Sequence, residues 1–192
     1  FLKYKLAPAE FLAGLPGDAA GGVVMNAGIG EESIQPREFC EIIDWVEVLR
    51  DQKVVRIKKA ELEFSYRKSK GWQPGIIVKV GFSWPNKPDE DVLNRVKNLN
   101  KARMTKQPLE FPNAGSVFVN PKGYKSGKLI EECGLKGFRV GDAQVSEKHA
   151  NFIINVGNAK ATDVLQLIKH IQDVVLEEKG VSLHPEWVML GF

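Results

Sequence analysis

The clearest repeating pattern of apolar and polar positions lies near the end of the chain and predicts an α-helix. In TDVLQLIKHIQDVVLEEKG, apolar residues recur three and four positions apart, as on one face of a helix. The stripe consists of Val164, Leu165, Ile168, Ile171, Val174 and Val175. Thr162 is a candidate N-cap, and Gly180 marks the end of the helix. A shorter stripe of Val92, Leu93, Val96 and Leu99 predicts a second helix over 89–103, with acids at the end that the helix dipole favours.

Alternation of apolar and polar residues predicts strands earlier in the chain. Two short strands, over 42–49 and 53–58, flank RDQK, which is typical of a hairpin turn. GIIVKVGFSW predicts a further strand, and AELEFSYRKSKGW predicts a short helical turn that runs into a loop. The glycine-rich stretch GLPGDAAGGVVMNAGIGEES is interpreted as a loop followed by a short apolar segment.

Short strands and helices are mixed in the rest of the chain. Val117, Phe118 and Val119 favour a strand over 116–119. Further predictions follow in order: a helix in SGKLIEECG that stops at Gly134, two extended pieces in GFRVGDAQVS, a strand in ANFIINVGNA, and two strands about Pro185 in VSLHPEWVMLGF. Because no regular βαβ repeat is present, the predicted fold class is α+β. TKQPLEFPNAG is interpreted as a boundary between two lobes, with domains at 1–100 and 101–192.

Composition excludes few classes of function. The 192 residues have a net charge of +3, and Lys and Arg are scattered among 24 acids, so no nucleic-acid partner is expected. Cys40 and Cys133 lie far apart without metal-ligand spacing, and with only 3 histidines no metal site is expected. The cysteine usage favours a reducing compartment, so a cytoplasmic location is expected. No apolar run is long enough to predict a membrane span.

Glycines cluster between positions 14 and 30, and the backbone N–H groups of such a loop can hold phosphate oxygens. The stretch matches neither G-x-x-x-x-G-K-[ST] nor a G-x-G-x-x-G that follows a strand. Tight turns are therefore an equally good explanation of these glycines.

Two pairs of neighbouring residues have side chains suited to binding anions. Arg67, beside Tyr66, has the planar fork that matches a carboxylate or a phosphate, although a solvated arginine is the more ordinary interpretation. His149, beside Lys148, precedes a predicted strand, and a structural or surface histidine is again the more ordinary interpretation.

Glu186 and Ser116 are two further candidates for chemistry, and each also has a more ordinary interpretation. An acid at the entrance of a strand, like Glu186 after Pro185, is usually solvated. Ser116 follows Gly115, and a serine there usually belongs to a turn or a strand end. No G-x-S-x-G surrounds Ser116, which argues against a hydrolase nucleophile.

Several segments, taken in their order along the chain, resemble one family. They are FLAGLPGDAAGGVVMNAG, FSYRKS, NAGSVFVNP, SGKLIEECGLKGFRVGDAQVSEKHANFIIN and PEWVMLG. The chain resembles the UDP-N-acetylenolpyruvoylglucosamine reductases (UDP-N-acetylmuramate dehydrogenases) over essentially its whole length, most specifically over 113–155. The family begins with another FAD-binding half that has a G-x-G-S-N-type loop, and no such loop occurs in this sequence. The resemblance therefore implies the C-terminal two-thirds of the enzyme, with an N-terminal half missing from this chain.

The resemblance implies an activity and an architecture. The activity is the NADPH-dependent, FAD-mediated reduction of UDP-N-acetylglucosamine enolpyruvate to UDP-N-acetylmuramate, in peptidoglycan precursor synthesis. Residues 1–100 are then the second half of a two-lobed FAD-binding domain of the vanillyl-alcohol-oxidase type. Residues 101–192 are a small α+β substrate-binding domain whose last strand returns toward the flavin.

The same resemblance implies roles for individual residues. Arg67 contacts the enolpyruvyl carboxylate, Ser116 is the proton donor, and Glu186 completes the catalytic set. Contacts with FAD are expected from Gly17, Asp18, Ala19, Gly21, Gly22, Asn26, Ala27 and Gly28. Contacts with the substrate are expected from Tyr66, Lys106, Asn120, Lys148 and His149.

Two positions depart from the family pattern. Val119 replaces a lysine that is common in Gly-Ser-x-Phe-Lys-Asn-Pro, and Asp18-Ala19 replaces a commoner Thr-Val.

Two other functions stay open. One alternative is a catalytically incomplete fragment that binds FAD or a UDP-sugar. The other is a related FAD-linked oxidase, against which NAGSVFVNP followed by SEKHANFIIN argues.

Overall fold

Strands and helices follow one another irregularly, as expected for an α+β fold. A computed structural model describes residues 1–31, 34–84 and 88–191. The chain forms two units, Phe1–Lys101 and Ala102–Phe192, called here the first and the second unit.

The first unit is mostly β-structure. Its elements are α1 (Ala19–Val24), β1 (Gly28–Glu31), β2 (Ile34–Glu38), β3 (Ile43–Arg50), β4 (Lys53–Lys58), β5 (Glu63–Ser65), β6 (Lys68–Lys70), β7 (Ile76–Phe82) and the start of α2 (Val92–Lys106). Short 3-10 helices occupy Leu2–Tyr4, Ala9–Leu12, Phe39–Glu41 and Lys59–Glu61. Three antiparallel sheets result: β1–β2, β5–β6, and β4–β3–β7 with β3 in the middle.

The β3–β4 hairpin confirms the strands predicted on either side of RDQK. Its two turn residues, Asp51 (φ 44°) and Gln52 (φ 62°), are both left-handed, as a tight two-residue hairpin requires. The register runs from Trp45 opposite Lys58 to Arg50 opposite Lys53. Side chains of β3 alternate, so that Val46 and Val48 face the core of the first unit.

The glycine-rich stretch contains a helix, α1, where a loop was predicted. Asp18 caps this helix, since its Oδ1 accepts a hydrogen bond from the Gly21 N–H at 2.7 Å. Val23 of α1 packs in the same core as Val46, which offsets the low helix propensity of the two glycines.

Two other predictions in the first unit need correction. AELEFSYRKSKGW forms a 3-10 turn and then the β5–β6 hairpin rather than a loop, with Phe64 opposite Ser69. The helix predicted over 89–103 is α2, which begins at Val92. The reason is that the Asp89 carboxylate accepts the Asp91 N–H at 3.0 Å, which forms a turn ahead of the helix.

Arg95 on α2 fastens this helix to other parts of the first unit. Its guanidinium contacts Glu10 at 2.7 Å and Asp89 at 2.6 Å. The hydrogen bond from Arg95 is the main reason that the pKa of Asp89 lies below its usual value, and the Asp91 N–H adds to it. Lys5 also pairs with Glu90.

The second unit has a four-stranded antiparallel sheet and two helices besides the end of α2. Its elements are β8 (Asn113–Ser116), α3 (Ser126–Glu132), β9 (Arg139–Val140), β10 (Ala143–Val145), β11 (Phe152–Asn155) and α4 (Ala161–Lys179). The sheet order is β8–β11–β10–β9. The short helix before Gly134, the two extended pieces and the β11 strand confirm the predictions made for them.

The long helix α4 supplies much of the core of the second unit. Its buried residues are Leu167, Ile168, Ile171 and Val175, with Val164 and Val174 partly buried beside them. Leu165 was predicted in this stripe but is exposed, and Leu167 takes its place. Thr162 is not the N-cap: the helix begins at Ala161, and the Lys160 N–H is bound by the Asp163 carboxylate at 2.9 Å.

The strand predicted over 116–119 and the two strands predicted about Pro185 are also wrong. β8 ends at Ser116 instead of starting there, and Phe118 makes only an isolated bridge to Pro185. Proline lacks an N–H group, so Pro185 cannot take its full part in a ladder.

Two neighbouring glycines of α1 give a matched test of this packing. A methyl group at Gly22 would meet the Phe39 ring at 2.5 Å, whereas one at Gly21 would meet only Asp18 at 3.5 Å. We expect Gly22→Ala to lower the free energy of unfolding by about 1–3 kcal/mol through overpacking. Gly21→Ala should leave it unchanged or raise it by up to ~1 kcal/mol, because alanine favours a helix. Equal denaturant midpoints for the two variants would contradict the close approach of Phe39 to α1.

The Arg95–Asp89 pair predicts a pH-dependent stability. Because the pKa of Asp89 is lowered by folding, its stabilising effect is present above the unfolded pKa and is lost as the pH falls through the folded pKa. Asp89→Asn should therefore lower the melting temperature at neutral pH, and the difference from wild type should close under acid conditions. Asp51→Asn is the control, because asparagine tolerates the left-handed turn. A gap that stays constant with pH would refute the assignment.

Candidate functional site

In the first unit, the Tyr66–Arg67 turn is fastened to the glycine-rich segment. Tyr66 and Arg67 form the turn between β5 and β6, and Arg67 has a left-handed φ of 56°. One Nη of Arg67 donates to the Gly28 carbonyl at 2.9 Å, and its guanidinium carbon lies 4.7 Å from the centre of the Tyr66 ring. The fork is half-buried, and the Tyr66 ring is half-exposed. The structure therefore brings together two groups of residues that the sequence analysis treated separately.

The buried side chain of Asn26 joins the glycine-rich segment to the strand that precedes the Tyr66–Arg67 turn. Its side chain is fully buried, and its amide donates to Glu38 at 2.8 Å and to the Ser65 carbonyl at 3.1 Å. Its Oδ1 accepts the Cys40 N–H at 3.0 Å. Burial, and then the Glu38 charge, raise the pKa of the neighbouring Cys40 thiol. Asn26 was predicted to contact the cofactor, and the structure shows in addition that its side-chain amide has internal partners.

The glycines of this segment fall into two groups. Gly22 and Gly28 are required by packing, since a Cβ would meet the Phe39 ring or would lie 2.2 Å from the Arg37 carbonyl oxygen. At Gly17, which has a φ of 107°, no atom lies within 4 Å of the Cβ position. Ala27 is tied into the fold through its carbonyl, which accepts the Phe39 N–H at 2.7 Å.

In the second unit, the structure places Ser116 and Glu186 on neighbouring segments. The Glu186 N–H donates to the carbonyl of Val117, the residue after Ser116, at 2.7 Å. Both residues are partly exposed. Ser116 is the last residue of β8 and lies opposite Phe152 of β11. Gly115, with a φ of 80°, has no atom within 4 Å of its Cβ position, so space is open on that side of the chain next to Ser116.

The predicted substrate-holding residues of the second unit are distributed over several elements. Asn120 accepts the Ser126 N–H at 2.9 Å and so joins the start of α3. His149 lies near α3 as well, because its Cε1 is 3.2 Å from the Cβ position of Gly127. Its Nδ1 accepts the Asn151 N–H at 3.2 Å.

The two predicted lysines of this unit differ in position. Lys106 is the last residue of α2 and is exposed. The Lys148 ammonium lies 3.2 Å from Glu110. The pKa of Glu110 is held below its usual value, first by a backbone N–H and then by Lys148.

Asn151 is a residue at this site that the sequence analysis missed. It is buried, and its side chain pairs with both backbone groups of Phe118: Oδ1 accepts the N–H at 3.0 Å, and Nδ2 donates to the carbonyl at 2.9 Å. The signal in the sequence is weak, because ANFIIN contains two asparagines and nothing in the pattern distinguishes the buried one.

The described part of the chain has neither a metal-binding cluster nor a membrane-spanning helix. Within 1–31, 34–84 and 88–191, no three His, Cys, Asp or Glu side chains are grouped as they would be around a metal ion. None of the helices in those ranges has the length and apolar character needed to cross a bilayer.

The chain is similar to known proteins over most of its length. Residues 107–190 match the family model "UDP-N-acetylenolpyruvoylglucosamine reductase, C-terminal domain". A reductase of that name from Agathobacter rectalis is 43% identical over 187 residues, which is 97% of this chain and 58% of the relative. Another from Clostridium beijerinckii is 46% identical over 94% of this chain and 59% of the relative. A crystal structure of the Thermus caldophilus enzyme matches with a TM-score of 0.80 and 38% identity, over 97% of this chain and 65% of that one.

These similarities show that the chain, which has an α+β fold, is a relative of enzymes that are named reductases. Residues 107–190 belong to the C-terminal domain family of UDP-N-acetylenolpyruvoylglucosamine reductase, and the chain as a whole is related to these reductases. The chain spans about three fifths of the length of the curated relatives it matches, between 58% and 62% for the first three.

Replacing one atom of Asn26 tests its internal role. Asn26→Asp removes the donor to Glu38 and Ser65 and puts a second carboxylate beside Glu38 in a buried position. We expect the free energy of unfolding to fall by ~3 kcal/mol. Asn98→Asp on the exposed side of α2 is the control and should change it by less than ~0.5 kcal/mol. Similar denaturant midpoints for both variants would show that the Asn26 amide does not hold the Tyr66–Arg67 turn.

Proposed function

We propose that the protein containing this chain reduces UDP-N-acetylglucosamine enolpyruvate to UDP-N-acetylmuramate, with NADPH as reductant and FAD as cofactor, in peptidoglycan precursor synthesis. The observation that supports the proposal is the hydrogen bond from the Glu186 N–H to the Val117 carbonyl, because it joins the segment that contains Glu186 to the residue after Ser116. In this proposal, residues 1–100 are half of a two-lobed FAD-binding domain and 101–192 bind the substrate.

Part of the glycine-rich segment fits a phosphate-bearing cofactor. Gly17 leaves its backbone open to close approach, and a Cβ at Gly21 would meet only the Asp18 carboxylate. The Gly21 N–H is already bound by Asp18, so it is not the donor for a phosphate oxygen. Gly22, Gly28 and Asn26 support the segment from within instead. We therefore assign the closest cofactor contacts to the chain around Gly17.

When bound and reduced by NADPH, FAD would supply the hydride that reduces the enolpyruvyl double bond. Hydride addition to the terminal carbon leaves negative charge that spreads into the carboxylate. Arg67 is suited to stabilise that charge, because its planar fork has five N–H donors and matches a carboxylate at two points. The stacking of the fork against Tyr66 restricts its orientation.

Ser116 is the proposed proton donor to the adjacent carbon. Its Oγ is on the last residue of a paired strand, so the backbone that carries the hydroxyl is rigid. A serine hydroxyl is a weak acid, so the proton moves only as carbanion character develops on the substrate. Glu186, if protonated, can donate a hydrogen bond to the enediolate and so stabilise it. Five further residues are proposed to bind the substrate: Tyr66, Lys106, Asn120, Lys148 and His149.

Stopped-flow absorbance on the full-length gene product tests this function and the role of Ser116 together. The unaltered protein should contain a flavin that NADPH bleaches and that UDP-N-acetylglucosamine enolpyruvate restores. Ser116→Ala should leave bleaching unchanged and slow restoration by ~10² or more, the scale of a lost general acid. Ser116→Cys should recover part of the rate, since a thiol can still donate a proton.

Two results would count against the proposal. A protein without flavin, or one whose bleached flavin the sugar nucleotide does not restore, refutes the function. An unchanged restoration rate in Ser116→Ala, with a stability loss of only ~1 kcal/mol, gives the hydroxyl a structural role and leaves the proton donor elsewhere.

A further inference from the structure

The segment Val117–Val119 connects the two candidate proton-transfer residues, and all of its backbone polar groups are paired. Val117 donates to the Asn151 carbonyl at 2.9 Å and accepts from Glu186 at 2.7 Å. Val119 donates to the His184 carbonyl at 3.0 Å and accepts the Ser126 hydroxyl at 2.7 Å. Buried backbone groups need such partners, so each bond fixes where this segment runs.

Asn151 provides half of these bonds. Its main-chain carbonyl accepts a hydrogen bond from the Val117 N–H. Its side-chain amide accepts from the Phe118 N–H and donates to the Phe118 carbonyl, as a residue of a neighbouring strand would. The amide acts beyond the last pair of the β8–β11 ladder, which joins Ser116 and Phe152. Phe118 itself is fully buried, so neither of its groups can turn to water if the amide is removed.

We propose that Asn151 is a positioning residue for Ser116 and Glu186. By fixing Val117 and Phe118, it sets the direction in which the preceding Ser116 leaves β8. Since Glu186 is bound to the carbonyl of Val117, the same amide also sets the position of Glu186. The inference rests on the proposed function and adds to it a group that touches neither substrate nor cofactor. Proton transfer depends steeply on distance, so a small shift of this segment is enough to slow it.

Asn151, just before β11, and Asn155, the last residue of β11, form a matched pair of test sites. Together they separate an effect on positioning from an effect on folding. Asn155 lies at the other end of β11, and its Oδ1 accepts the N–H groups of Gly157 and Ala159 at 3.0 and 3.1 Å. Asn155→Ala therefore removes two side-chain hydrogen bonds from the same unit without touching the Val117–Val119 segment. Asn151→Ala also removes two, both of them from Phe118.

The test uses the full-length gene product at a temperature well below the melting point of each variant. Asn151→Ala should slow restoration of the bleached flavin by UDP-N-acetylglucosamine enolpyruvate by ~10-fold or more, with bleaching by NADPH unchanged. Asn155→Ala should leave both rates near those of the unaltered protein. If Asn151→Ala does not fold, Ser126→Ala, which removes only the bond to Val119, should give a smaller loss in the same half-reaction.

The outcomes are distinct from those of the proposed function. If the unaltered protein restores its flavin and the variants at Asn151 and Ser126 slow both half-reactions equally, or no more than Asn155→Ala does, positioning is overturned while the function stands. If the unaltered protein shows no restoration, the function fails and the inference falls with it. Faster hydrogen exchange at Val117 and Phe118 in Asn151→Ala, but not in Asn155→Ala, is the expected structural signature, and equal protection would overturn the role of the amide.

Discussion

Each unit depends on one buried asparagine whose amide replaces a missing strand partner. Asn26 in the first unit and Asn151 in the second are both buried, and each bonds main-chain groups that lie far away in sequence. A backbone that changes direction inside a core leaves N–H and carbonyl groups without partners, at a cost of about 1–3 kcal/mol each. An asparagine side chain has one donor group and one acceptor, as a peptide unit does, so it can satisfy both. These two residues allow the backbone next to the candidate functional groups to lie outside regular helices and strands.

This arrangement divides the work between regular and irregular structure. The β4–β3–β7 sheet and α4 supply cores that need no special residues, only apolar stripes. Arg67 is on a turn and Ser116 is at a strand end, positions where a side chain can be both exposed and fixed. In each case a buried asparagine amide bonds the main chain one or two residues away from the exposed group.

The elements that could be predicted from sequence are those whose pattern is local. The β3–β4 hairpin and α4 have clear periodicity, and their turn or stop residues follow directly. The predictions failed where tertiary contacts decide. Val117–Val119 has strong strand propensity, yet its partners are Asn151 and the chain around Pro185, which no local pattern indicates. The glycines of α1 argue against a helix, but Asp18 and the core position of Val23 stabilise one.

The same distinction applies to the candidate site. Arg67, Ser116 and Glu186 could be identified because they lie in segments that resemble a family. Asn26 was singled out for a contact with a cofactor, whereas the burial and the internal hydrogen bonds of its side chain could not be read from the sequence. Asn151 drew no attention at all, since an asparagine just before the apolar run Phe152–Ile154 becomes informative only when its partner, Phe118, is known.

The sequence separation of strand partners sets how much chain entropy each pairing costs. In the β3–β4 hairpin, Arg50 and Lys53 pair across a two-residue turn, so almost no loop has to close. Ser116 pairs with Phe152 across α3 and the β9–β10 hairpin. The added cost of a longer loop grows only logarithmically, by ~0.6 kcal/mol for each doubling. The connection between these two strands can therefore gain or lose many residues in the course of evolution while the ladder under Ser116 keeps its register.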